Sequence, residues 1–366
     1  MINIGGCMQR IASFIVDHKK VVLLGFILFT IISAALIPLV GINYNLMDYL
    51  PLKAPSTLAI EEMSAEYTES IPNARVVVPD ISLIEALEIK RQLENIDSVE
   101  SVLWLDDVQD IKVPLEQLDQ QLVGGYYKDN NALFMVTANL DDTVQTLEDL
   151  RMVAGEDGAV AGQIVTLSSV QNSTSSEIFT IMVIMLPLGI LLLMLTTRNW
   201  FEPLVLLIVI GVAIILNLGT NIFLGEISFL TQSVAAVLQL AVSLDYAIFL
   251  LHRFNDNREA GLPLNDAMRQ AIAKSSVAIA SSAMTTFLGF LVLVFMHFRI
   301  GGDLGVVLAK GILFSLVTVI GFLPVIVLYS HKWMDKATHR SFVPSFKGLA
   351  DFLSRNYRWF LLIAVL

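Results

Sequence analysis

Cysteine is all but missing from this chain. Cys7 stands alone among 366 residues, so no disulfide can form within it and no redox compartment can be read from cysteine pairing. Histidine is nearly as scarce. His18, His252, His297, His331 and His339 lie near segment ends without ligand spacing, and no metal centre is expected. Charge is short too: 16% of residues are Asp, Glu, Lys or Arg, against ~25% in soluble domains. No glycine-rich loop that would cradle phosphates and no nucleophile–base pair occurs, which argues against an enzyme and against a nucleotide-fuelled machine; no cofactor is expected. The net charge of −11 argues against a nucleic-acid partner.

What the chain has in excess is apolar sequence. It is 55% hydrophobic with a mean hydropathy of +0.70, beyond the ~45–50% of soluble domains, and this places it among membrane proteins. A bilayer core of ~30 Å asks for ~20 apolar residues at a rise of ~1.5 Å each. Six runs meet that length: Val21–Val40, Ile178–Leu195, Pro203–Gly225, Ile227–Leu251 (interrupted by Asp245), Ser275–Phe298 and Leu304–Ser330 (interrupted by Lys310). The first is longer than the ~7–15 residues of a signal-peptide core, so it is expected to be retained as a span.

The charges are unevenly placed. Residues 43–177 hold 24 Asp and Glu against 7 Lys and Arg, leaving 10 acids and 16 bases for the rest. Arg10, Lys19, Lys20, Arg198, Arg253, Arg258, Arg269, Lys274, Lys332, Lys336, Arg340, Lys347, Arg355 and Arg358 all fall on one side of the six spans, and the short loops opposite carry only Arg299. The positive-inside rule then predicts a multi-pass protein of the cell membrane with a cytoplasmic N-terminus and an extracytoplasmic 43–177. The expected divisions are 1–42, a lead-in and span one; 43–177, an α+β domain; 178–330, spans two to six; and 331–366, a cytoplasmic linker and the start of a seventh span.

Within 43–177 strand-like and helix-like runs alternate. Arg75–Val78, Leu83–Ile96 and Val99–Leu105 read as one strand–helix–strand unit; Ala132–Leu140, Val144–Val153 and Ala159–Leu167 read as a second. Two such halves predict a ferredoxin-like α+β sandwich. Its acidic surface needs no explanation beyond solubility, though attraction of cationic solutes is the sharper alternative.

Ala350–Leu362 echoes Ala12–Leu24 with four identities in thirteen positions, each a basic amphipathic lead-in to an apolar run. The echo predicts a second copy of the unit, since internal duplication is common in secondary transporters.

Asp245 is the most informative residue. An aspartate inside a span costs ~2.5–3.5 kcal/mol on insertion scales and is usually functional or paired. At ~100° per residue it shares its helix face with Leu238, Ala241, Val242, Phe249 and His252. A dry setting raises a carboxyl toward neutrality and suits it to a proton relay, with Tyr246 as a hydrogen-bond donor; the alternative is a carboxyl neutralised by a buried partner to hold helices together. Lys310, near one end of its span, either pairs with a carboxylate or snorkels to the interface. Asn217, Asn221, Gln232, Gln239, Ser281, Ser282, Thr285 and Thr286 either line a pathway or hydrogen-bond between helices. Pro187, Gly321 and Pro324 are expected kink points.

Two stretches, Ser243-Leu-Asp-Tyr-Ala-Ile-Phe-Leu-Leu-His-Arg253 and Ser281-Ser-Ala-Met-Thr-Thr-Phe-Leu-Gly-Phe290, resemble the MMPL family of the resistance-nodulation-division (RND) superfamily, as does Gly305–Pro324. The resemblance spans nearly the whole chain and corresponds to an N-terminal half. It implies that Asp245 and Tyr246 belong to a proton relay and that the outer domain is a porter domain. It also implies proton-driven export of a hydrophobic or amphiphilic molecule or lipid, with a second half or a homo-oligomer as partner in the bilayer. The last five spans also resemble the sterol-sensing module of lipid-binding regulators, and an accessory role similar to the SecD and SecF components is a further alternative.

Overall fold

The computed structural model describes residues 4–66, 71–140, 142–197 and 199–337. The echo at 350–362 lies outside them. The chain starts with α1 (Ile4–Asp17), whose Ala12, Ile15 and Val16 are buried, and passes into α2 (Lys19–Leu36). Pro38 then sits in a single 3₁₀ turn, and a short strand β1 (Gly41–Asn43) follows.

After α3 (Pro55–Glu66) comes the sheet. It holds β2 (Ala74–Val78), α4 (Leu83–Glu94), β3 (Val99–Leu103), the short α5 (Leu105–Val108) and α6 (Gln120–Tyr126), β4 (Tyr127–Lys128), β5 (Asn131–Ala138), α7 (Thr143–Ala154) and β6 (Ala159–Gly162). Strand order is β3-β5-β2-β6, every pair antiparallel, with β4 folding back on β5. Both long helices start on side-chain caps: Ser82 accepts from Glu85 N while Glu85 accepts from Ser82 N, and Asp142 accepts from Gln145 N. Alternation along β2 and β5 buries Val76, Phe134 and Val136, which meet Leu93 of α4, Leu150 of α7 and Trp104 in one core. The strand expected over Ala159–Leu167 stops at Gly162. That glycine has φ of +119°, and a Cβ there would lie 2.6 Å from the Asn73 carbonyl oxygen, so the chain turns and Gln163 begins a helix.

That helix, α8 (Gln163–Thr196), is 34 residues long and contains Pro187. The predicted second span is its C-terminal part, and the predicted domain boundary at 177/178 falls inside it. The bundle continues with α9 (Glu202–Gly219), strand β7 (Glu226–Ser228), α10 (Phe229–Glu259), α11 (Leu264–Leu291), α12 (Arg299–Val317) and α13 (Leu323–Lys336). Five helical stretches among the described residues are long and apolar enough to cross a membrane: Lys19–Leu39, Glu202–Leu224, Phe229–Glu259, Leu264–Phe295 and Arg299–Lys336. The apolar run in α8, Val183–Leu195, is shorter. Ile227 and Ser228, expected to be helical, instead pair in parallel with Ile42 and Asn43 of β1, and this ties the C-terminal end of α2 to the start of α10. The last stretch is continuous through a π turn at Thr318–Phe322, which supplies the irregularity expected from Gly321 and Pro324.

Candidate functional site

The bundle is held by close backbone approaches and by buried amides, as expected where lipid gives helices no hydrophobic reason to associate. Gly305 lies so near α11 that a Cβ would fall 2.8 Å from the Phe290 carbonyl oxygen. Helices α9, α10 and α12 meet around polar side chains. Asn217 Nδ2 donates to Gln239 Oε1 at 3.0 Å; Gln239 Nε2 donates to Gly311 O at 3.0 Å and Ser315 Oγ at 3.2 Å; and Ser243 Oγ lies 2.5 Å from Ser315 Oγ. All four side chains are buried. A Cβ on Gly311 would come within 2.7 Å of Asn217 Nδ2, so glycine leaves room for the amide pair.

Lys310 joins this cluster from α12. Its Nζ donates to Asn217 O at 3.0 Å, Thr220 Oγ1 at 2.9 Å and Asn221 Oδ1 at 2.6 Å. Of the two expectations for Lys310, pairing with a carboxylate is not what the structure shows. It points to the end of α9, where the helix loosens into a 3₁₀ turn at Thr220–Leu224, and no carboxylate pairs with it among the described residues. The physical reason is that a helix end leaves carbonyls unpaired and carries partial negative charge, which an ammonium meets well in a dry setting. Asn217 Oδ1 and Asn221 Nδ2 are buried and have no partner among the described residues.

Asp245 lies on the other side of α10, exposed, with Ala241 and Phe249. A groove of about 570 Å³ between α10 and α11 is lined by Asp245, Tyr246 and Phe249 from α10 and by Ala278, Ser282 and Thr286 from α11. Tyr246 is buried, and its hydroxyl has no hydrogen-bond partner among the described residues. Thr285 and Thr286 donate to the carbonyls of Ser281 and Ser282 one turn back, and Thr285 does not line the groove. The candidate residues therefore fall into two groups. Asp245, Tyr246 and Thr286 share the groove, while Lys310, Gln239, Asn217 and Asn221 share the buried cluster. Sequence reasoning passed over Thr220, Gly311 and Ser315 and quoted Ser243 only inside a motif. Their signal was an (i, i+4) pairing of small polar or glycine positions on each of three helices: Asn217/Asn221, Gln239/Ser243 and Gly311/Ser315.

At the sheet-bearing end of the bundle a further carboxylate holds α10 in place. Asp303 Oδ2 accepts from Ser228 N at 2.7 Å and from Thr231 Oγ1 at 2.6 Å, at the first turn of α10. Tyr49 lies nearby. Its hydroxyl pKa is pushed up by burial and by the charges of Asp303, Glu226 and Asp48, with Arg299 opposing.

Apolar helices of spanning length and a covered antiparallel sheet between the first and the later ones define a multi-pass membrane protein. Its fold is shared with a solved heavy metal efflux pump at 14% identity, with a TM-score of 0.50 over 77% of this chain and 40% of that one. The chain belongs to the MMPL family, whose profile matches residues 135–360, and through it to the RND superfamily. Similar proteins include MmpL12 of Mycobacterium tuberculosis, described as a probable transport protein, at 25% identity over 361 residues, which covers 88% of this chain and 30% of that one. MJ1562 of Methanocaldococcus jannaschii is 33% identical over 93 residues, 25% of this chain and 24% of its own. The chain thus spans about a quarter to a third of the length of these relatives.

Proposed function

We propose that this chain is one half of an RND-type transporter that exports a hydrophobic or amphiphilic molecule or lipid, driven by protons that bind and leave Asp245. The observation that carries the reading is Asp245 itself: a carboxyl midway along a spanning helix, exposed on an apolar face, with no hydrogen bond or ion pair among the described residues. Left against lipid it would cost ~2.5–3.5 kcal/mol, so the groove on α10 and α11 is the face that a second half, or a second copy, covers. Tyr246, whose hydroxyl has no hydrogen-bond partner among the described residues, is the donor closest in sequence. A potential of 100 mV supplies ~2.3 kcal/mol per charge moved, enough for a protonation-linked shift of α10.

In the same reading, residues 43–177 form the porter domain outside the cell membrane, 1–42 and 178–330 supply the spans, 331–366 lead onward, and the N-terminus is cytoplasmic. The order β3-β5-β2-β6, with a helix after β2 and after β5, supports a ferredoxin-like sandwich for the porter. MmpL12 being described as a transport protein supports export as the activity.

The test is Asp245→Asn, which keeps size and hydrogen bonding but fixes the neutral form. Export in vesicles with an imposed pH gradient, assembled with whatever second half is required, is expected to stop while thermal stability is unchanged or slightly raised. Normal export by a stable variant ends the relay reading. Lipid binding that persists in the wild type without proton-coupled flux favours the lipid-sensing alternative instead.

A further inference from the structure

Lys310 is a lone ammonium in the membrane, yet all three of its protons are taken by uncharged oxygens of one neighbouring segment, Asn217 to Asn221. The same Asn217 hands its amide to Gln239 of α10, and Gln239 reaches on to Gly311 and Ser315 of α12. A chain of hydrogen bonds thus runs from the cation, through the loosened end of α9, into one face of α10. Gln239 and Ser243 mark that face. Asp245 lies two residues past Ser243, ~200° round the helix, so whatever fixes the direction of Gln239 also fixes the direction of Asp245.

We propose that Lys310 is a positioning residue for α10: by holding the end of α9 it sets the rotation at which α10 presents Asp245 to the groove. The role as a positioner of a relay rests on the function proposed above; the rotation itself does not. A neutral side chain would leave the carbonyl of Asn217 and the side chains of Thr220 and Asn221 without their shared donor. Buried orphan acceptors seek other partners, and one amide in the same segment is the one Asn217 now gives to Gln239. Arginine keeps the charge and the multiple donors, whereas glutamine keeps a donor but not the charge, and methionine keeps neither.

The rotation can be read without transport, in full-length protein in membranes with Cys7→Ser. His252→Cys places a thiol on the exposed face that Asp245 shares, and Leu251→Cys places one on the buried face. The maleimide labelling rate of the first is expected to exceed that of the second many-fold. Lys310→Met and Lys310→Gln are expected to bring the ratio toward one, and Lys310→Arg to restore it. Should Lys310→Met fail to fold, Gln239→Leu, which cuts the same chain and leaves the lysine in place, is expected to lower the ratio as well. An unchanged ratio in folded Lys310→Gln and Gln239→Leu overturns the proposal, as does a loss that arginine does not repair. If Asp245→Asn exports normally while the labelling ratio still falls in the Lys310 variants, the relay reading fails and the positioning role stands.

Discussion

Gly219 on α9 rests against the backbone of Ser33 on α2, so closely that a Cβ on the glycine would fall 2.1 Å from the serine carbonyl oxygen. Ser33 is the only fully buried residue of α2 among those described; Val22, Leu23 and Phe26 are half-buried against the bundle, and much of the remaining surface of the helix is exposed. The contact therefore seats α2 on the bundle. Gly219→Ala has no flexible side chain to push aside, only backbone, and is expected to cost ~1–3 kcal/mol or more. Thermal unfolding of the purified protein measures it. A variant with wild-type stability would mean that α2 can slide along α9.

Asp303 is expected to be more than a surface charge. Asp303→Ala leaves the Ser228 N–H and the Thr231 hydroxyl, both fully buried, without an acceptor, at a cost of ~1–3 kcal/mol. It also removes one of the negative charges that raise the Tyr49 hydroxyl. The same variant should therefore show a lower melting temperature and a tyrosine that ionises at lower pH than in the wild type, read by ultraviolet absorbance. A stable variant with unchanged tyrosine titration would contradict the geometry.

In the sheet domain Lys90 of α4 is buried against α5. Its Nζ lies 2.9 Å from Asp106 Oδ1 and 2.7 Å from Asp107 Oδ2. Burial alone pulls its pKa down, but hydrogen bonds and the charges of the two aspartates more than offset this, and the net shift is upward from 10.5. A group raised on folding contributes stability that is complete below its unfolded value and is lost as pH rises through the folded one. The Lys90 contribution is thus expected to hold to about pH 10.5 and fade above it. Lys90→Met removes that alkaline limb and destabilises at neutral pH, by less than the ~3–5 kcal/mol of breaking a fully buried pair because both aspartates are partly open to water. Tryptophan emission against pH, for both proteins, checks the limb.

Much of the architecture was legible because it is written in runs. Twenty apolar residues can do little but cross a bilayer, and the β-branched and apolar runs at Arg75–Val78 and Ala132–Leu140 announce strands. Helix ends were less legible. The polar tail of α10, from His252 to Glu259, is held by tertiary contacts such as Asn255 with Glu202, which hydropathy does not see. Asp245 stood out because charge in an apolar run is expensive. Lys310 stood out for the same reason, and so did Asn217 and Asn221 as polar residues in a span, but their pairing did not, since Asn217, Thr220 and Asn221 become neighbours of Lys310 only once α9 lies beside α12. Ser243 and Ser315 are ordinary residues one at a time, and their meaning comes from facing each other. The strand expected beyond Gly162 failed on a single backbone angle that composition does not report.

The pairing of Ile42 with Ile227 carries a consequence for how the chain is made. The two residues are separated by the whole sheet domain, by α8 and by α9, so β1 has no strand partner until all of these have been synthesised. Loop-closure entropy rises only with the logarithm of length, so so long a loop is thermodynamically tolerable. It is kinetically late, however, because distant pairings wait on everything between them. The strand pairing that fixes the end of α2 is therefore made well after α2 itself has been synthesised.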